Sequence, residues 1–246
     1  MILDRAEEAN WLSNAYLVAD ESGGSGVLVD GNGVVEPLFE RIEREGITIT
    51  HVLVTHHHAD HVVGIANLKE RFGVPALAHP VTAQEIGGGV IDGHIADGEV
   101  IRSGALEIAA IDTPGHCQGH LAFLINGTDC ITADVLFKGT VGGNRGPGGN
   151  YDQLRTSIMD RLMTLPPETR VHPGHREAST IGTEWEQNPF VRIWRGLDAE
   201  GSEPVSVRGD PATLLLWAPD YDGGNKALVR FASGEISVVG GSQVQR

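Results

Sequence analysis

The chain has little cysteine: its 246 residues include only Cys117 and Cys130. Two cysteines in a chain of this length do not form the disulfide framework of a small secreted protein, so we expect two free thiols in a reducing compartment. The chain also lacks a run of about 18 apolar residues, the length that a membrane-spanning helix needs. Its first residues contain no basic segment followed by an apolar one, so no secretory signal is visible. The sequence therefore predicts a cytoplasmic location and no membrane partner.

Basic residues are scarce as well. Eighteen lysines and arginines stand against 33 aspartates and glutamates, which gives a formal net charge of -15 at pH 7. This excess of negative charge disfavours nucleic acid and anionic membranes as partners, and we expect a small-molecule substrate instead. Hydrophobic residues make up 40% of the chain, enough for a sizeable core. Length and composition predict a globular protein of one large domain or two small ones, and leave the oligomeric state open.

Histidine, by contrast, is concentrated. Four of the eleven histidines lie in the seven-residue sequence Thr-His-His-His-Ala-Asp-His, directly after an apolar run. Imidazole and carboxylate are ligands that suit zinc, and also manganese or non-haem iron. The spacing provides one pair from His56 and His58 and a second pair from Asp60 and His61, so that the cluster can serve two adjacent metal ions. Asp60 has an alternative interpretation as the N-cap of the next helix.

Three later segments each present a ligand-type residue just after a predicted strand, where active sites of layered α/β proteins gather. His116 follows a Pro-Gly turn, Asp134 ends a short apolar strand, and His175 follows a second Pro-Gly turn. A carboxylate at Asp134 can bridge two metal ions. His175 is preferred to His172, which still belongs to the strand. His57 points away from its neighbours in an extended segment and is predicted to lie on the surface or behind the ligands.

Hydrophobic periodicity predicts alternating strands and helices in the first third of the chain, followed by further strands and one helix. The predicted strands are 15–18, 26–29, 49–55, 74–77, 106–111, 121–125, 130–132 and 169–171. The predicted helices are 34–45, 62–72 and 151–162. After Gly196 the pattern becomes β-rich, with strands predicted at 214–217, 227–231 and 236–239 and a hairpin or close crossover at 222–224. We therefore expect a domain over residues 1–196 and a small β-rich extension over 197–246 packed on it, to which the sequence assigns no chemistry.

Residues 139–149 are glycine-rich and are predicted to form a loop. Their glycines do not follow the order strand, G-x-G-x-x-G, helix, so a dinucleotide-binding site is rejected.

Taken together, these motifs resemble the metallo-β-lactamase superfamily. The resemblance rests on His-x-His-x-Asp-His at 56–61, Thr-Pro-Gly-His at 113–116, the strand-end Asp134 and Pro-Gly-His at 173–175, and it covers about residues 10 to 190. It implies an α+β fold, a four-layer αββα sandwich with two divalent metal ions at the edge of its two sheets. Zinc is the first choice, with iron or manganese as alternatives. The implied ligands are His56, His58 and His116 for one metal and Asp60, His61 and His175 for the other, with Asp134 bridging.

Within this superfamily, residues 133–139 resemble the Gly-Asp-x-Leu-Phe segment of glyoxalase II-like hydrolases. Asp134 also argues against an antibiotic-degrading β-lactamase, where Cys or Ser is common at this position. Glyoxalase II and its relatives usually carry a basic residue that helps to hold glutathione where this chain has Gly143. Arg145 and Lys138 are therefore predicted to bind the substrate.

The predicted function is metal-dependent hydrolysis of a thioester or ester, with hydroxide generated at the metal ions as the nucleophile and Asp60 as a catalytic proton carrier. The sequence leaves three alternatives. One is a persulfide dioxygenase with a single iron held by His58 or a neighbour, His116 and Asp134. The others are a lactonase of the same fold and, less favoured, a non-catalytic metal-binding protein.

Overall fold

Two six-stranded sheets form the centre of the fold. The computed structural model describes residues 1–246, and its first sheet has the strand order β1-β2-β3-β4-β5-β6, with β1 (Ile2–Glu7), β2 (Asn14–Ala19), β3 (Ser25–Val29), β4 (Thr48–Val54), β5 (Ala76–Ala78) and β6 (Gly93–His94). The second sheet contains β7 (Val100–Ser103), β8 (Leu106–Asp112), β9 (Leu121–Ile125), β10 (Asp129–Ala133), β13 (Arg170–Pro173) and β14 (Ser179–Thr180). Its strand order is β14-β13-β10-β9-β8-β7. A short ribbon of β11 (Leu136–Phe137) and β12 (Thr140–Val141) follows β10.

Helices are found in two stretches of the chain, one for each sheet. The first stretch contains α1 (Glu36–Glu45), α2 (Ala59–Val62), α3 (Ile65–Phe72) and α4 (Pro80–Ile86). The second contains α5 (Tyr151–Thr156), α6 (Ile181–Gln187) and α7 (Pro189–Trp194). None of these helices has both the length and the apolar character needed to cross a lipid bilayer.

Successive side chains of a strand point to opposite faces of the sheet, and this alternation creates the layers. In β2, Leu17 lies in one core cluster with Leu38 of α1 and Leu68 of α3. Its neighbour Val18 points the other way and lies in a second cluster with Phe123 of β9. Because successive side chains of a strand face opposite sides, β2 contributes both to the helix–sheet layer and to the sheet–sheet layer. The four-layer αββα sandwich predicted from the sequence is confirmed.

The predicted helix over 62–72 is wrong at its start. Two helices occupy this region, α2 and α3, because the backbone between them is engaged by the loop after β3. The Gly31 N–H donates to the His61 carbonyl at 2.7 Å, and the Gly64 N–H donates to the Gly31 carbonyl at 2.8 Å. The alternative interpretation of Asp60 as an N-cap is also wrong, because Asp60 lies inside α2, whose N-cap is His58.

The predicted helix over 151–162 is only half α-helical. After α5 the chain continues as a π-helical turn over Ser157–Arg161 and a 3-10 turn over Leu162–Thr164. The apolar spacing that predicted the helix is still used, since Leu154, Ile158 and Leu162 are all buried in the same cluster.

The residues after Gly196 form a five-stranded antiparallel sheet. Its strands are β15 (Glu203–Val207), β16 (Asp210–Pro219), β17 (Asn225–Phe231), β18 (Ile236–Gly240) and β19 (Val244–Gln245) in the order β18-β17-β16-β15-β19. The hairpin predicted at 222–224 joins β16 to β17. Leu215 and Leu228 pack in one cluster with Phe190 of α7, so this sheet shares a core with the main body. The division into two domains at residue 196 stays a prediction.

We expect Leu228→Ala to destabilise the whole protein by about 2 to 5 kcal/mol, because it leaves a cavity in the core that joins the C-terminal sheet to the main body. Leu228 is 1% exposed. The matched control, Leu197→Ala, removes a side chain that is 50% exposed and should change the stability by less than about 0.5 kcal/mol. Urea unfolding followed by circular dichroism measures both. Loss of the C-terminal sheet alone, in a separate early transition, would contradict the shared core.

Candidate metal centre

Four strands from both sheets end at one edge of the sandwich and bring the predicted ligands together there. The first histidine cluster follows β4 of the first sheet, His116 follows β8, Asp134 follows β10 and His175 follows β13. All seven predicted ligands fall into two neighbouring groups at this edge.

The first group contains three imidazoles and one carboxylate. His58 Nδ1 lies 3.1 Å from His56 Nε2 and 2.9 Å from His116 Nε2. Asp134 Oδ2 lies 3.9 Å from His56 Nε2 and 3.6 Å from His116 Nε2. These four ligand atoms all lie within 4.8 Å of one another, a separation that permits one ion to contact all of them.

The second group contains Asp60, His61 and His175. Asp60 Oδ2 lies 3.6 Å from His61 Nε2 and 3.5 Å from His175 Nε2. The Asp134 carboxylate also reaches this group, since its Oδ1 lies 3.3 Å from His61 Nε2 and its Oδ2 lies 3.3 Å from His175 Nε2. Asp134 is therefore the one side chain that stands between the two groups.

Four of the five candidate-ligand imidazoles have a hydrogen-bond acceptor next to the ring nitrogen that faces away from the centre. This acceptor fixes the orientation of the ring. The pairs are His56 Nδ1 with Thr55 Oγ1 at 3.0 Å, His61 Nδ1 with Asp30 Oδ2 at 2.9 Å, His116 Nδ1 with the Gly143 carbonyl at 2.7 Å, and His175 Nδ1 with the Trp11 carbonyl at 3.0 Å. A proton on Nδ1 leaves the Nε2 lone pair directed at the centre, which is the state that a metal-ligating histidine requires.

Asp30 supports two ligand histidines and was missed by the sequence analysis. Its buried carboxylate accepts hydrogen bonds from His61 Nδ1, from the Thr55 N–H at 2.8 Å and from Thr55 Oγ1 at 2.7 Å. Since the Thr55 hydroxyl donates to Asp30, its oxygen is left to accept from His56. A signal was available: Asp30 directly follows the predicted strand 26–29, the same placement that singled out Asp134.

Asp134 is held through its backbone. Its N–H donates to His120 Nε2 at 3.3 Å, and His120 Nδ1 lies 2.8 Å from Thr113 Oγ1. Ala133, directly before it, has a φ of 42°, in the left-handed region that residues with a side chain rarely adopt. This turn directs the Asp134 carboxylate into the centre.

Burial and charge act together on the ionisable groups of the centre. Burial, followed by the charge of His116, lowers the pKa of His58 to about 4. Burial alone would raise the pKa of Asp134, yet the neighbouring His175 and His61 hold it well below its ordinary value. A neutral His58 and an ionised Asp134 are the protonation states that metal ligands need. Burial lowers the pKa of His61, but Asp134 and Asp30 outweigh it and raise that pKa well above its ordinary value, so a metal ion that binds His61 Nε2 has to displace a proton there.

A second observation shows that these residues fit a metal ion. His61 Nε2 and Asp134 Oδ1 are both buried without a hydrogen-bond partner. Unpartnered buried polar atoms are costly in a folded protein, and a cation between them would satisfy both.

Two other histidines named from the sequence, His57 and His172, lie outside the two ligand groups. His57 is half-buried with its ring centroid 5.0 Å from that of His58, and it does not join the seven. His172 Nε2 donates to Asp129 Oδ1 at 2.8 Å, in keeping with the preference for His175. Both cysteines are free and buried, as expected, and burial raises the pKa of the Cys117 thiol to about 12.

The two predicted substrate residues lie in different clefts. Lys138 lines a cleft of about 750 Å³ together with His175 and Tyr221. Arg145 lines another cleft, of about 540 Å³, and its guanidinium lies 4.6 Å above the ring of Phe231. The structure therefore brings Lys138, and not Arg145, into one cleft with a candidate ligand.

The C-terminal sheet also contributes to this region. This contribution was not predicted from the sequence. The Tyr221 ring stacks on the His175 imidazole, with a centroid distance of 4.4 Å and an interplanar angle of 14°. Nothing in the sequence indicated this contact, because an isolated tyrosine in a predicted turn has no distinguishing pattern.

An αββα sandwich with two adjacent groups of imidazole and carboxylate ligands at its sheet edge defines a class of metal-dependent enzymes. Residues 10–175 match the family described as the Metallo-beta-lactamase superfamily. The chain belongs to this superfamily, and divalent metal ions at the centre follow from that membership together with the ligand groups.

Individual relatives show how widely the class ranges. The chain is 31% identical over 196 residues to "Hydroxyacylglutathione hydrolase GloC" of Haemophilus influenzae, covering 72% of this chain and 92% of the relative. It superimposes with a TM-score of 0.68 on ETHE1 from Myxococcus xanthus, at 29% identity over 80% of this chain and 92% of that one. TTHA1623 in a di-iron-bound form gives a TM-score of 0.66 at 32% identity, covering 76% of this chain and 99% of that one.

We expect Asp30→Asn to weaken metal binding about 10- to 100-fold, because both carboxylate oxygens accept hydrogen bonds from Thr55 or His61, whereas the NH2 group of an amide would face one of these donors. The exposed Asp210→Asn serves as the control and should leave the metal affinity unchanged. Competition with a chromophoric chelator measures the affinity. Equal affinities for wild type and Asp30→Asn would contradict the supporting role of Asp30.

Gly174→Ala should abolish metal loading while the fold is retained. A Cβ at Gly174 would lie 2.0 Å from Asp134 Oδ1 and 3.0 Å from His61 Cε1, so that either ligand would have to move. At Gly146 a Cβ meets nothing within 4 Å, and Gly146→Ala is the matched control. Elemental analysis of both variants, with circular dichroism for the fold, decides the matter. Full metal content in Gly174→Ala would show that the ligand positions are not fixed as described.

Proposed function

We propose that this protein is a hydrolase that cleaves a thioester or ester bond with two divalent metal ions, zinc being the first choice. The observation that carries the proposal is the pair of complete ligand groups joined by Asp134, His56, His58 and His116 on one side and Asp60, His61 and His175 on the other. A single metal would leave one group without a role. Similarity to a hydroxyacylglutathione hydrolase supports the choice of a thioester.

Metal ions held by these two ligand groups would lower the pKa of a bound water toward about 7 and would polarise the carbonyl of the substrate. The chain's own residues supply the remaining functions. The acceptors behind His56, His61, His116 and His175 fix the rings, so that the ligand geometry is set before the substrate arrives.

Asp60 is the proposed proton carrier. Its side chain is 23% exposed, whereas those of His61 and Asp134 are 0% and 9% exposed. Its Oδ2 faces His61 and His175, so Oδ1 is the oxygen proposed to accept a proton from the attacking water and to pass it to the leaving group. No serine or cysteine nucleophile is needed, and the raised pKa of the Cys117 thiol disfavours one.

A second candidate is an iron-dependent reaction, and one observation favours keeping it. The relative TTHA1623 is known in a di-iron-bound form. The same ligands also suit iron, because imidazole and carboxylate bind both metals. One iron per chain, with oxygen uptake in the presence of a persulfide, would favour a dioxygenase over the hydrolase.

We expect His58→Ala and Asp134→Ala each to reduce thioester turnover by more than about 100-fold, because loss of a ligand should exceed the 10- to 100-fold cost of losing its supporting partner. His94→Ala is the control, since His94 is exposed and lies outside both ligand groups. Turnover is measured with a panel of thioesters and lactones, next to elemental analysis. Undiminished turnover by either variant with bound metal would refute the proposal.

A further inference from the structure

A third group of metal-ligating side chains lies beside the first ligand group. It contains His57, His58 and Cys117, and one ligand atom from each side chain lies within 4.8 Å of those of the other two. His57 and Cys117 are not among the seven candidate ligands of the metal centre. His58 alone is common to both groups, so the third group adjoins the metal centre and shares one imidazole with it.

His57 has a ring nitrogen without a partner. Its Nδ1 is buried and forms no hydrogen bond, as is also true of the candidate ligand atom His61 Nε2. The ring as a whole is half-buried, and its centroid lies 5.0 Å from that of His58 at an interplanar angle of 70°. Because burial removes a ring nitrogen from water, an unpartnered one is costly. A cation bound at Nδ1 would remove this cost.

His58 lacks the support that fixes the other four candidate-ligand imidazoles. Its Nδ1 lies 3.1 Å from His56 Nε2 and 2.9 Å from His116 Nε2, and its Nε2 has no acceptor behind it. The His58 ring is therefore held toward the first ligand group from one side only. It is the one ligand imidazole that can turn without breaking a hydrogen bond to a supporting residue, and it is the one that the third group shares.

Cys117 determines which ion suits the third group. Its side chain is 0% exposed and forms no disulfide. A thiolate is a soft ligand that selects Cu(I) or zinc, whereas carboxylates suit harder ions, and the third group contains no carboxylate. Zinc in a closed site almost always takes four protein ligands, and this group offers three. One sulfur and two nitrogen ligands therefore favour Cu(I), which displaces the thiol proton when it binds.

We propose that His57, His58 and Cys117 form a binding site for Cu(I), and that an ion bound there withdraws His58 from the first ligand group. The ion of the first group is then held by three ligands instead of four, so that copper weakens its binding. This inference goes beyond the hydrolase function proposed above and does not depend on it, since it concerns metal binding alone.

The test titrates Cu(I) into the metal-loaded protein without oxygen, in competition with the chromophoric chelator bathocuproine disulfonate. We expect the wild type to bind one Cu(I) per chain and to release metal from the first group, which elemental analysis after gel filtration measures. Cys117→Ser should weaken Cu(I) binding by more than about 100-fold, because a hydroxyl is a poor ligand for a soft ion.

The chain offers a matched control in its other cysteine. Cys130 is also free and 0% exposed, and it lies outside the third group. Cys130→Ser should therefore bind Cu(I) as the wild type does. Equal Cu(I) affinities for wild type and Cys117→Ser, or equal losses in the two serine variants, would overturn the proposal.

His57→Ala separates the new site from the metal centre. This variant keeps all seven candidate ligands, so we expect it to retain its metal ions and to bind Cu(I) at least about 10-fold more weakly than the wild type. Unchanged Cu(I) affinity would contradict the site. Full retention of the resident metal by copper-loaded wild type would contradict the withdrawal of His58.

X-ray absorption at the copper edge gives a readout that does not depend on the variants. We expect one sulfur and two nitrogen neighbours around the copper of the wild-type protein. A copper ion with nitrogen and oxygen neighbours only, or a wild type that binds no Cu(I), would overturn the proposal.

Discussion

The structure depends on a carboxylate buried among imidazoles. Asp134 lies within 4 Å of four histidines and between two ligand groups, at a depth where an ionised group is costly unless positive charge surrounds it. Much of the fold serves to hold it there. Both sheets end at the same edge, β10 delivers Asp134 through a left-handed turn, and His120 fixes its backbone. Divalent metal ions held by these residues would supply the positive charge that such an arrangement requires.

The candidate ligands could be named from the sequence because each of them follows a strand with a clear apolar pattern. His116, Asp134 and His175 share that placement, and parallel or adjacent strand ends converge at one edge of a sandwich. Asp30 shares it as well and was overlooked because it stands alone, without a second ligand-type residue nearby in the sequence.

What sequence reasoning could not supply depends on contacts between distant parts of the chain. Tyr221 lies in a hairpin about 45 residues beyond the last candidate ligand, and the packing of Leu228 and Leu215 in one core with α7 helps to bring that hairpin to the centre. The break between α2 and α3 has a similar origin, because it follows from Gly31 occupying backbone groups that would otherwise continue one helix.

The C-terminal sheet consequently has two connections to the centre. One is the contact of Tyr221 with His175. The other passes through the glycine-rich loop: the Asn144 N–H donates to the Val238 carbonyl at 3.2 Å, and the Val238 N–H donates to Asn144 Oδ1 at 2.6 Å. Directly before Asn144, the Gly143 carbonyl accepts from His116. The C-terminal sheet, which the sequence predicted to be a separate extension, thus helps to fix the candidate ligand His116.

The loop orients His116 through a main-chain carbonyl, which any amino acid provides. Position 143 is a glycine, and the support of His116 does not depend on which side chain is there. Side chains of this segment can therefore be exchanged while the main-chain atom that holds the candidate ligand His116 stays the same.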